Sequence, residues 1–182
     1  GIDTRALTKI LREKGTMNGM ITTHVYEDYE KPLARIREYR VTGVVKETSC
    51  KKPYKAEGQN GTKWKVALLD LGAKKNIARS LQARGCEVTI FPCDTPAEQI
   101  LGMNPDGIML SNGPGDPKEN KEIIKELYKL YESNVPIFAI CLGHQLMALA
   151  TGADTYKLKY GHRGGNHPVK DLETGRVYIT SQ

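Results

Sequence analysis

Apolar positions in this chain follow two periods, and the change between them sets its organisation. Near the start, Leu7, Ile10 and Leu11 recur at helical spacing behind Asp3 and Thr4, either of which suits a cap, and Gly15 closes the run. A second short helix is predicted around Leu33 and Ile36. From 46 to 63 the chain turns polar and basic, broken by Pro53, Gly58 and Gly61, and reads as a linker. Beyond it, apolar runs of strand length alternate with helical patterns. Strands are predicted at 66–71, 87–91, 106–110 and 135–140, and helices at 74–84, 96–101, 118–131 and after position 141. Such alternation implies an α/β, doubly wound, mostly parallel sheet with helices on both faces. In the tail, 155–160 and 176–180 read as strands of an antiparallel extension.

Two of these strand ends carry the candidate chemistry. The apolar run Val135-Pro136-Ile137-Phe138-Ala139-Ile140 ends on Cys141, followed at once by Leu142-Gly143-His144-Gln145 and a helix with Leu142, Leu146, Leu149 and Ala150 on one side. A nucleophile at a sharp strand-to-helix turn is lifted out of the sheet edge. The helix behind it aims free N–H groups and its positive dipole end at the sulfur. Small Ala139 and Gly143 give that turn room. Taken alone, a free cysteine is more often a buried, inert one; the strand–Cys–Gly–helix setting reverses that preference for Cys141.

The run Asp106-Gly107-Ile108-Met109-Leu110 leads into Ser111-Asn112-Gly113-Pro114-Gly115-Asp116-Pro117, with two glycines and two prolines in a seven-residue loop. Glycine lets a backbone N–H approach a ligand with no Cβ in the way. Ligands of open α/β sheets sit outside the carboxyl ends of the strands. Gly113 and Gly115 are therefore candidate oxyanion donors beside Cys141; the plainer alternative is an ordinary turn opening the next helix.

These two stretches resemble the class I glutamine amidotransferase family. Gly1-Ile2-Asp3-Thr4-Arg5, Leu69-Asp70-Leu71-Gly72-Ala73-Lys74-Lys75-Asn76-Ile77 and Gly161-His162-Arg163-Gly164-Gly165-Asn166-His167-Pro168-Val169 are similar to one branch of it, the small, glutamine-hydrolysing subunits of carbamoyl phosphate synthetase. One difference is Ala139, where the family often has Gly two positions before the cysteine. The resemblance implies a flavodoxin-like fold, L-glutamine as substrate and Cys141 as nucleophile. It implies an oxyanion held by the Leu142 N–H and one from Gly113 or Gly115, with Gln145 near the substrate's α-carbon groups. It further implies a large synthetase subunit as partner, which would bind ATP and magnesium, and no cofactor or metal in this chain.

The family's triad His and Glu belong to a His-Pro-Glu-like motif that these 182 residues lack. The expectation is an internal fragment, inactive alone, with those two groups beyond Gln182. Residues 1–45 would be the trailing part of a preceding small domain, and 64–182 a C-terminally incomplete amidotransferase domain. His144 lies in the family's Cys-Leu-Gly-His signature, where it packs or hydrogen-bonds and is not the triad base. His162 and His167 lie in a Gly-rich loop, and His24 in an unremarkable stretch. Two alternatives stay open: the glutaminase component of another amidotransferase, such as one of anthranilate or GMP synthesis, and a non-catalytic assembly module of the same fold.

Composition changes little. With 39% hydrophobic and 26% charged residues, the chain can bury one good core. No apolar run approaches the roughly 20 residues of a membrane helix, so no membrane partner is expected. Cys50, Cys86, Cys93 and Cys141 have neither disulfide-framework nor zinc spacing, which points to a reducing cytosol. The net charge of +6 is spread along the chain and interleaved with acids, so no nucleic acid partner is expected.

Overall fold

The computed structural model describes residues 1–56, 63–159 and 164–180. Its elements run α1 (Thr4–Lys14), α2 (Glu30–Glu38), α3 (Val44–Thr48), β1 (Tyr54–Lys55), β2 (Trp64–Asp70), α4 (Lys75–Gln82), β3 (Cys86–Pro92) and α5 (Ala97–Leu101). They continue through β4 (Gly107–Leu110), a 3-10 turn (Pro117–Glu119), α6 (Lys121–Glu132), β5 (Ile137–Ala139), α7 (Leu142–Ala150), β6 (His167–Lys170) and β7 (Val177–Thr180). Two compact units form: Val41–Thr155, and Gly1–Arg40 with Tyr156–Gln182.

The first unit is built on a five-stranded sheet in the order β1-β3-β2-β4-β5, parallel except for the short β1 on β3. Alternation along β2 explains its two faces. Ala67 and Leu69 join one core cluster with Leu110, Ile123, Leu127, Leu130, Leu142 and Leu146 from the α6 and α7 side. Val66 and Leu68 join a second with Val88, Ile90 and Met109, against which Ile77 and Leu81 of α4 pack. Two apolar faces need two helical covers, so the predicted doubly wound fold is the one that forms.

The strand order places the site. The chain leaves β2 for β3 on one side, then crosses to β4 on the other, so winding reverses between β2 and β4. The crevice at the carboxyl ends of these two strands is the switch point at which such sheets bind ligands. Register brings three strands level there, Leu69 beside Leu110 and Leu110 beside Ala139.

The second unit is described by itself. Asp3 caps α1, accepting from the Ala6 N–H at 2.9 Å, and Gly15 ends it at φ 89°. α2 follows as predicted, and Asn18 ties its end by donating to the carbonyls of Ile36 and Tyr39. β6 and β7 pair antiparallel, with His167 opposite Thr180.

Several expectations need correction. The stretch read as a linker from 46 to 63 carries structure in its described part. Ser49 is buried, its hydroxyl accepts the Cys93 N–H at 2.9 Å, and β1 extends the sheet. These are side-chain ties to backbone, which a polar, basic composition does not reveal; residues 57–62 lie outside the described part.

The strand predicted from the apolar run 135–140 is shorter and half exposed, with Phe138 68% accessible, because β5 is last in the sheet order. The helix expected at 118–131 is broken at Asn120: Asp116 caps a 3-10 turn by accepting from the Lys118 N–H, and α6 starts afresh at Lys121. Residues 155–159 form no strand. The partner of β7 is instead β6, inside the stretch read as a Gly-rich loop. Tyr160 and the Gly161-His162-Arg163 part of that loop lie outside the described residues. No helix among the described residues is long and apolar enough to cross a membrane.

Candidate active site

Cys141 stands between β5 and α7 at φ 52° and ψ −110°, on the left-handed side of backbone space that side chains other than glycine's rarely occupy. Its side is exposed, whereas Cys86 and Cys93 are buried and Cys50 is intermediate. The turn holds because of what lies behind it. Leu142 and Leu146 are fully buried against the α6 side of the core. Gly143 leaves no room for a larger residue: a Cβ there would lie 2.7–2.8 Å from Leu110 Cβ and from the carbonyl oxygens of Leu110 and Ser111. The Gly143 N–H donates to the Ser111 carbonyl at 3.1 Å, which locks the start of α7 to the end of β4.

That bond also sorts the donors at the elbow. The Gly143 N–H is consumed, and so is that of Gln145, which donates to the Cys141 carbonyl at 3.0 Å. The Leu142 N–H has no acceptor among the described residues, so it is the donor adjoining the sulfur-bearing residue. Gln145 sits half-buried one turn along α7.

The loop after β4 approaches from the neighbouring strand. Gly113 is wedged between two elements: a Cβ would run into the Leu71 carbonyl oxygen on one side and lie 2.7 Å from Leu142 Cδ2 on the other. Only a residue without a side chain brings this backbone up to the start of α7. Gly115, at φ 88°, faces Val44 instead. Of the sequence-predicted residues, the structure thus sets Cys141, Leu142 and Gln145 along the start of α7, brings Gly113 against Leu142, and places Gly115 farther along the same loop.

Sequence reasoning assigned no role to Asp70, Ser111 or Asn112. Asp70 is 7% accessible, and its carboxylate accepts the N–H groups of Cys50, Gly72 and Ala73 at 2.8, 3.0 and 2.7 Å. The fully buried Ser111 hydroxyl accepts the Leu71 N–H at 2.9 Å and donates to the Asn112 carbonyl. The Asn112 amide accepts the Lys74 N–H at 3.1 Å and donates to the Gly72 carbonyl at 3.2 Å. An acid closing the apolar run Val66–Leu69, two positions before Gly72, was the available signal for Asp70: that is where a carboxylate caps the turn it precedes.

Two thiols, Cys50 and Cys93, are held protonated. Burial, then the neighbouring Asp70 carboxylate, pushes Cys50 up to about 11. Burial likewise raises Cys93. Among the described residues no group of His, Cys, Asp or Glu is arranged to hold a metal ion. His144 is exposed and lines a cavity of about 570 Å³ beside β5, with Phe138, Met147 and Tyr131. His24 stacks edge-on against Tyr26. His167 lies in β6, where its carbonyl accepts from the Thr180 hydroxyl.

A family model described as glutamine amidotransferase class-I matches residues 67–182. The chain is 50% identical over 183 residues to the carbamoyl phosphate synthase small chain of Listeria monocytogenes, covering 100% of this chain and 49% of that one. It is 47% identical over 190 residues to the Symbiobacterium thermophilum protein of the same description, covering 51% of it, and 50% identical over 182 residues to that of Bacillus cereus, covering 48%. The chain spans about half the length of these relatives.

Proposed function

Because this chain belongs to the class-I glutamine amidotransferase family, we propose that it is part of the glutaminase half of a carbamoyl phosphate synthase, releasing ammonia from L-glutamine for a large synthetase subunit. The observation that carries this reading is the elbow. An exposed thiol sits on a positive-φ turn at the carboxyl edge of a parallel sheet, with a free helix N–H beside it and the Gly113 backbone drawn up to Leu142.

In this reading the Cys141 thiolate attacks the side-chain amide carbon of glutamine, and the carbonyl π electrons move onto oxygen. The resulting oxyanion accepts from the Leu142 N–H and from a donor of the Gly113–Gly115 loop; one such donor is worth about 3 kcal/mol in the transition state. The C–N bond breaks as the nitrogen takes a proton, ammonia leaves and a γ-glutamyl thioester remains. Water then cleaves the thioester to glutamate and restores the thiolate. The proton carrier would be the family's triad histidine, oriented by its glutamate. Gln145 would contact the substrate near its α-carbon groups. The chemistry requires no cofactor or metal in this chain; ATP and magnesium would belong to the synthetase partner. The four free thiols fit a reducing cytosol.

The test is glutamate release from glutamine by the full-length protein with its synthetase partner, wild type against Cys141→Ser. The expected result is activity in the first and a loss of at least about a thousandfold in the second. A wild-type complex that releases no glutamate would overturn the enzyme reading and leave a binding module.

A further inference from the structure

The backbone leaving β2 is held in an unusual way. Four consecutive N–H groups, those of Leu71, Gly72, Ala73 and Lys74, are all taken by side chains: Leu71 by Ser111, Gly72 and Ala73 by Asp70, and Lys74 by Asn112. Asn112 also donates to the Gly72 carbonyl, so it grips the turn from both sides. Asp70 reaches further and holds the Cys50 N–H, which fixes the segment after α3 to the same point. A carboxylate suits this place because its two oxygens serve three donors at once.

The turn so held is the surface on which the oxyanion loop rests. The Leu71 carbonyl oxygen sits where a Cβ of Gly113 would be, and a Cβ on Gly72 would fall 2.9 Å from Pro114 Cδ and 3.4 Å from Gly113 Cα. Gly113 therefore has the Leu71–Gly72 backbone on one side and Leu142 on the other, with no slack between. The Ser111 carbonyl closes the circuit by accepting the Gly143 N–H of α7. A shift of the Leu71 carbonyl toward the loop would press directly on Gly113.

We propose that Asp70, seconded by Asn112 and Ser111, is a positioning residue for the amidotransferase reaction, setting the distance between the Gly113 N–H and the oxygen of the substrate amide reacting at Cys141. This deepens the glutaminase reading and rests on it. Asp70 acts through Gly113 and does not touch the reacting atoms. A donor misplaced by about 1 Å loses transition-state stabilisation far more than ground-state binding, and such displacements cost up to about a hundredfold in rate.

The experiment compares wild type, Asp70→Asn and Asn112→Ala in the full-length protein with its synthetase partner. It reads kcat and KM for glutamine hydrolysis, the urea midpoint, and the rate at which iodoacetamide alkylates Cys141. Asn at position 70 keeps the shape but turns an amide N–H₂ toward backbone N–H groups. The expected result is a fall in kcat of at least about tenfold for Asp70→Asn, with KM within about twofold and the alkylation rate unchanged, since the thiol itself is untouched. Asn112→Ala should show the same split with a smaller fall.

A lowered urea midpoint with kcat of the folded protein unchanged would mean that Asp70 only stabilises the fold, and would overturn the proposal. So would a rise in KM alone. If Asp70→Asn does not fold, Asn112→Ala decides by the same criteria. A wild-type complex without glutamate release would overturn the glutaminase reading and this proposal with it, whereas an active wild type with unaffected variants overturns the positioning role alone.

Discussion

The unit Val41–Thr155 and the unit Gly1–Arg40 with Tyr156–Gln182 have similarly legible patterns and very different interiors. In the first, Leu68, Leu71, Leu110, Leu127, Leu130, Leu142 and Leu146 are fully buried. In the second, α1 has an equally clear apolar stripe and a good cap, yet Leu7, Ile10 and Leu11 remain 37–45% accessible and the helix buries no residue. Periodicity tells which face of a helix is apolar, and burial depends on what that face meets. Stabilisation scales with the apolar area removed from water, about 25 cal/mol per Å², so the two units should respond very differently to the same kind of substitution.

The largest expected effect tests this directly. Leu127→Ala should cost about 2–5 kcal/mol, read as a lower urea midpoint by circular dichroism, whereas Leu11→Ala should cost about 1 kcal/mol or less. Equal losses at the two sites would abolish the contrast. Next, Gly143→Ala should destabilise by about 1–3 kcal/mol, because its methyl group has only the β4 backbone and Leu110 to push against. On the proposed function, it should also slow glutamine hydrolysis by moving Cys141.

A smaller effect concerns Glu126, which accepts the Ala97 N–H at 2.7 Å and pairs with Lys129, joining α5 to α6. The Ala97 bond, then Lys129, holds its carboxyl below the usual value of 4.5. A depressed value means the folded state prefers the charged form. The contribution is therefore present above about pH 4.5 and lost as pH falls through the lower, folded value. Glu126→Gln should cost about 1 kcal/mol at pH 7, and the difference from wild type should shrink in acid, as urea titrations at several pH values would show. The smallest effect is that of Asp3→Ala, which removes the α1 cap at a cost of about 0.5–1 kcal/mol and is visible chiefly as lost helical signal.

The parallel core was open to reading because each strand and helix announces itself over several residues. The apolar runs at 66–71 and 87–91 sit within a residue or two of β2 and β3. The elbow was open to reading because Cys141 follows an apolar run and opens a well-patterned helix, although β5 itself spans only Ile137–Ala139. What escaped depends on contacts distant in sequence. Ser49 is buried by the Cys93 N–H, 44 positions away, and nothing in its basic neighbourhood announces that. Asp70 and Asn112 look like solvated turn residues until the fold brings their partners in, 20 and 38 positions off. His167–Lys170 became a strand only through its pairing with Val177–Thr180, because a four-residue run after several glycines has little intrinsic β signal.

The backbone angles of Cys141 carry one more consequence. A side chain at φ 52° and ψ −110° stores local strain of about 1–3 kcal/mol, and glycine is the residue that would relieve it. Selection for durability alone would favour glycine at position 141; selection for chemistry would favour cysteine. Holding cysteine at that position marks this turn as a place where the molecule gives up some thermodynamic fitness to keep a sulfur raised above its sheet.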